Sequence, residues 1–209
     1  LILSLNLSAV IGGYTLIGRD GTLKGSKLAS KFIDGKVSTS TTERCPVVGV
    51  LDLTGSNSGY ESVNMLLGTD FKGGEVNNAV CLDITSNQAV IATSFEEMFS
   101  STKYCGAKGA DLCATVADTL LVIFPYGDLD EYLISHEQTL RRIVAKAKDD
   151  VTVKGILFVI DTTGESGSIG SELSTVEKKF EELWNENSGD AGGMNPCPVG
   201  SITLDRTNP

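Results

Sequence analysis

Histidine is almost missing from this chain: 209 residues contain one, His136. A histidine-based metal site or a Ser-His-Asp triad therefore lacks its central residue type. Cysteine is sparse and unpaired in pattern, with five residues (Cys45, Cys81, Cys105, Cys113 and Cys197) and no C-x-x-C, which excludes the common zinc spacings. An odd count fits free thiols in a reducing compartment better than a disulfide framework, so the cytoplasm is favoured over secretion. Basic residues are also short, 17 against 27 acidic ones, leaving a net charge of -10. Nucleic-acid binding runs on clustered Lys and Arg, and so does docking on an anionic membrane surface, so neither is expected. No apolar run reaches the roughly 20 residues that a membrane span needs. The opening "LILSLNLSAVIGG" has the apolar core of a secretory signal without its basic start, and its alternation suits a strand.

The residues that are present describe one globular domain over 1–209, with 41% apolar and 21% charged side chains. "GYTLIGRDGTL" reads as a short strand with a turn at Arg19-Asp20-Gly21, and "GSKLASKFIDGKV" as a short helix. "CPVVGVLDL", "TLLVIFPYG" and "GILFVIDTTG" are continuous apolar runs rich in Val, Ile and Leu, the pattern of strands buried on both faces. "NNAVCLDI" and "QAVIATSF" form a further pair of strands, and "VGSITLD" a last one. Helical spacing runs through "YESVNMLL" up to Gly68, and through "KGADLCATVADTL" with Leu112, Val116 and Leu120 on one face. It recurs in "DEYLISHEQTLRRIVAKAKDD" with Leu133, Leu140, Ile143 and Val144 apolar, and in "SELSTVEKKFEELWNEN" with Ser171 or Ser174 as cap and Trp184 packing on the sheet. Strand-type runs alternating with helices predict an α/β fold: a doubly wound, mostly parallel sheet with helices on both faces.

Between the first buried strand and the helix that follows it lies "GSNSGYES", residues 55 to 62. A phosphate-binding loop reads G-x-x-x-x-G-K-[ST] in this same strand–loop–helix context. Anchored on Gly55, Glu61 stands where the motif has lysine and Ser62 keeps the hydroxyl. Anchored on Gly59, Tyr60 replaces the lysine and Glu61 the serine. Neither alignment has a lysine, and both bring a carboxylate to the phosphate position. Two like charges about 4 Å apart repel by about 4 kcal/mol at an effective dielectric near 20.

The order of pieces resembles the G domain of the atlastin and guanylate-binding-protein superfamily, and most of all the root-hair-defective class of dynamin-like GTPases. The resemblance runs through "TLIGRDGTLKGSKLASKF", "PVVGVLDLTGSNSGYESVNMLLGTDF", "ADTLLVIFPYGDL", "GILFVIDTTGE" and "ELSTVEKKFEELW", from about Tyr14 to Leu204. It implies a P-loop GTPase-like fold with vestigial positions for nucleotide at Gly55, Ser58, Gly59, Tyr60, Glu61, Ser62 and Asp161. The remaining family motifs are degenerate as well. The switch segment "KGGEVNNAVCLDI" has no Thr or Ser, and the D-x-x-G region falls on "TSFEE", with Ser94 for Asp and Glu97 for Gly. The base-reading Arg-Asp pair corresponds to Asp161-Thr162, and the phosphate loop contains no Arg.

Phosphoryl transfer depends on positioned charge, and these charges are missing. The resemblance therefore implies a G domain without turnover: no catalytic residue, no metal and no cofactor, acting on other protein subunits or on a second copy of itself. The alternative is a divergent GTP·Mg binder or slow GTPase, with a substitute cation from Lys72, Lys103 or Lys108. The helical stalk and membrane hairpin of fusion-active relatives are not in this sequence, so membrane fusion is not expected of this chain alone.

Overall fold

The computed structural model describes residues 13–18, 45–54, 59–71, 80–85, 88–94, 105–127, 133–134, 137–149, 155–163, 170–186, 199–205 and 207. Within them the strands are β1 Tyr14–Ile17, β2 Val47–Asp52, β3 Val80–Ile84, β4 Ala89–Ser94, β5 Thr119–Pro125, β6 Gly155–Asp161 and β7 Val199–Leu204. The helices are α1 Gly59–Leu67, α2 Cys105–Val116, α3 Glu137–Asp149 and α4 Gly170–Glu186. One seven-stranded sheet runs in the order β1-β3-β4-β2-β5-β6-β7. β2, β4, β5, β6 and β7 are mutually parallel, while β3 runs antiparallel to β4 and β1 antiparallel to β3. The run "VVGVLD" takes the middle place in the order, and its continuous apolar character follows from burial on both faces.

Side-chain alternation divides the core into two. On one face α2, α3 and α4 cover Leu51, Leu120, Val122, Phe124, Ile156, Phe158 and Ile160. On the other, Tyr60 and Val63 of α1, with Phe71 beyond it, cover Val50, Val90, Ala92, Ile123 and Val159. Helices thus lie on both faces of a doubly wound sheet, as the pattern of runs predicts. Leu133, Leu140, Ile143 and Val144 are all buried, and Trp184 packs beside Phe180, whose ring stands edge-on to Phe158 at 5.0 Å.

Two helices differ from the sequence reading. α2 ends at Val116, so Leu120 belongs to β5, and Leu112 and Val116 are only partly buried. Its buried stripe is Ala110, Cys113 and Ala114, continuing into Ala117, a set of small residues. They are small because the helix lies very close to the sheet. A Cβ on Gly49 would come within 3.0 Å of the Ala117 and Cys113 Cβ atoms, and one on Gly109 within 2.8 Å of Thr93 Oγ1. Close packing chose small side chains, and a count of large apolar residues picks the wrong stripe. α4 begins at Gly170, ahead of Ser171 and a full turn ahead of Ser174, so Ser174 lies inside the helix instead of capping it.

The opening strand, the helix over 25–37 and His136 fall outside the described residues.

Candidate functional site

Parallel strands deliver their last residues to one edge of the sheet, and in doubly wound folds ligands bind there. β2 ends at Asp52, β5 at Pro125 and β6 at Asp161, in adjacent register. β2 ends at this edge, and α1, which begins at Gly59, lies over the second face.

The side chains tell a different story. Tyr60 is 1% exposed and belongs to the apolar core of the second face, its ring 5.8 Å from that of Phe71. Glu61 is exposed. A helix turns 100° per residue, so burying position 60 against the sheet rotates position 61 towards solvent. The Glu61 carboxylate therefore stands at the surface and outside the core. Gly59 is the first residue of α1, while Gly55 and Ser58 fall outside the described residues.

Ser62 and Asp161, 99 positions apart in sequence, meet. The Ser62 hydroxyl donates to Asp161 Oδ2 at 2.8 Å, and both residues are buried. Asp161 Oδ1 accepts the backbone N–H of Thr163 at 3.1 Å, closing an Asx turn at the strand end, and its carbonyl accepts from Tyr126 N–H. Thr162 donates both its N–H and its hydroxyl to the carbonyl of Leu204 on β7. The pair that corresponds to the base-reading motif is thus committed to internal bonds.

Two residues that the sequence reading did not single out complete the surroundings. Asp52 is 1% exposed, and its Oδ1 accepts from the N–H and hydroxyl of Thr54 at 3.0 and 2.7 Å, starting the turn out of β2. A carboxylate between Leu51 and Leu53 in an apolar run was the available signal. Asn64 holds the far end of α1: its amide donates to Phe71 O, and its oxygen accepts from Thr69 Oγ1 and Phe71 N–H, all at 2.7–2.9 Å. Gly68 ends the helix with φ +66, the left-handed residue that such a stop needs.

Among the described residues, those at the motif's lysine and hydroxyl positions do not fit a Mg·nucleotide. The lysine position of one alignment is a core tyrosine, that of the other is a surface glutamate, and the remaining hydroxyl is bound to a carboxylate. Of the substitute cations, Lys72 and Lys103 lie outside the described residues and Lys108 falls in α2. Thr93 and Ser94 close β4, and the rest of "TSFEE" is outside the described residues. Among the described residues no group of three or more His, Cys, Asp or Glu is placed to hold a metal, and no helix is long and apolar enough to cross a membrane.

Fold and edge together define an α/β protein with a mostly parallel, GTPase-like sheet, in which β2, at the middle of the strand order, is followed by α1. No protein-family model matches the chain, and no curated protein matches it. Among solved structures, a crystal structure of a mutation variant of SsGBP is 15% identical with a TM-score of 0.46, over 78% of this chain and 50% of that one. A structure described as nucleolar GTP-binding protein 1 from Plasmodium falciparum is 7% identical with a TM-score of 0.36, over 80% of each chain. This chain spans half the length of the SsGBP structure. Likeness at this level assigns neither a family nor an activity.

Proposed function

We propose that this chain is a GTPase-like domain that neither binds nor hydrolyses GTP and serves as a structural or protein-interaction module, derived from the dynamin-like superfamily that its sequence resembles. The observation that carries the proposal is Tyr60. In the alignment anchored on Gly59, the glycine that opens α1, it takes the place of the phosphate-loop lysine and is part of the core. An ammonium at this position would stand in an apolar cluster, where desolvation disfavours its charge. Catalysis of phosphoryl transfer without that charge, and without a free hydroxyl for magnesium, has nothing to stabilise the transferring group. The partner is another protein subunit or a second copy of the chain, and the acidic balance of -10 disfavours nucleic acid.

A thermal-shift assay with GTP and GDP, each with and without magnesium, tests this. A ligand present at 100 times its Kd adds about 2.7 kcal/mol to stability, which at about 2–4 °C per kcal/mol raises Tm by roughly 5–11 °C. The proposal expects no shift with any of the four additions. A magnesium-dependent rise with GTP establishes the alternative, a divergent GTP-binding protein or slow GTPase.

A further inference from the structure

We infer that α1 is clamped by the chain itself at the position where a nucleotide would hold it, so that the edge of the sheet has one conformation, independent of GTP or GDP. The inference deepens the reading above and rests on it.

α1 is held by side-chain bonds at two points, one of them buried and reaching across the fold. Near its start, Ser62 Oγ donates to Asp161 Oδ2 at 2.8 Å, tying the helix to the end of β6 across 99 residues of sequence. Ser62 is fully buried and Asp161 nearly so, at 0% and 9% exposure. Towards its end, Asn64 makes three hydrogen bonds with residues 69–71, donating one to Phe71 O and accepting two, and the N–H of Asp70 donates to Asp83 Oδ2 on β3. Tyr60 before the first tie and Val63 between the two are sealed against the sheet.

A ligand that binds only the folded state stabilises the elements it touches, and elements that switch are drawn from the least stable parts of a fold. Here the stabilising contacts are internal. A hydrogen bond to a buried carboxylate is stronger than a neutral one, and removing the Ser62 hydroxyl takes away the bond that joins helix to strand end. The face built from α1 and the strand ends is therefore constitutive: a partner that docks on it meets the same surface whatever the nucleotide pool.

Hydrogen exchange on the full chain tests the clamp. In the wild type the amides of Val63 to Leu67 exchange slowly, and equally slowly with GTP·Mg added. Ser62→Ala and Asp161→Ala each speed exchange in α1 by about 10- to 100-fold, and the double variant is no faster than Asp161→Ala, which already removes the Ser62 bond along with that from Thr163 N–H. Asp161→Asn, which keeps an amide to bond Ser62 and an oxygen for Thr163 N–H, holds α1 within about tenfold of wild type. If Ser62→Ala or Asp161→Ala does not fold, Asp161→Asn alone decides, and loss of α1 protection in it overturns the clamp. Exchange in a folded Ser62→Ala that stays within about twofold of wild type also overturns it. Slowing of wild-type exchange by GTP·Mg instead overturns the non-binding reading of the previous section.

Discussion

Restoring the missing lysine is the perturbation on which the reading of this fold stands or falls. Tyr60→Lys, with Gly59 before it, recreates the Gly-Lys pair of a phosphate loop. If Tyr60 were a surface residue over an open pocket, the change would be benign and would help a phosphate bind. The structure places it at 1% exposure with Phe71 against it. A buried aromatic of this size removes about 150–250 Å² from water, worth about 4–6 kcal/mol at 25 cal/mol per Å². The four methylenes of lysine recover about 3 kcal/mol if they follow the same path. Loss of the ring pair adds about 1 kcal/mol, and the ammonium must lose its proton or pull the stem outward. The expected cost is about 3–5 kcal/mol, similar to that of Tyr60→Ala, or a fall in Tm of roughly 6–20 °C. Tyr60→Phe keeps the ring and stays within about 1.5 kcal/mol of wild type. Urea and thermal unfolding of the three variants, each followed by a GTP titration, give the comparison. A Tyr60→Lys protein that melts with the wild type and binds GTP refutes the reasoning.

Asn64→Ala removes three part-buried hydrogen bonds to residues 69–71 after α1 and lowers stability by about 1–3 kcal/mol, read as a lower urea midpoint. Burial pushes the Cys113 thiol from 9.0 up to about 12, so its neutral form is held in the folded state. That stabilising preference is complete below pH 9 and is lost as pH rises towards 12, at about 1 kcal/mol per pH unit, because the unfolded thiol ionises first. Unfolding free energies measured from pH 8 to 11 check the slope against a Cys113→Ala reference. In native protein a thiol reagent modifies exposed Cys45 at once and reaches Cys81 and Cys113 only on unfolding. Thr93 Oγ1 is buried beneath Gly109 with no hydrogen-bond partner among the described residues, so Thr93→Val is neutral or stabilises by about 1 kcal/mol in the same urea assay.

The elements of the fold were legible because each central strand is an uninterrupted apolar run and each helix carries its own period. "VVGVLD", "TLLVIFP" and "GILFVID" declare burial on both faces in their letters alone. The buried stripe of α2 was not legible, since it was selected by a close approach between Gly49, Gly109 and the helix that only three-dimensional packing reveals. In the candidate site, the degenerate letters of "GSNSGYES" were plain, but the directions of the side chains were not. A rotation of 100° separates Tyr60 in the core from Glu61 at the surface, and the letters do not show which way either faces. The bond between Ser62 and Asp161 is a contact across the sheet edge, beyond the reach of any local pattern.

The central claim is that a GTPase-like sheet carries a nucleotide face occupied by its own side chains. Isothermal titration calorimetry of the wild-type chain with GTP in the presence of magnesium measures this directly. The account predicts no saturable heat up to millimolar nucleotide. A saturable isotherm with a micromolar Kd, at one nucleotide per chain, contradicts it.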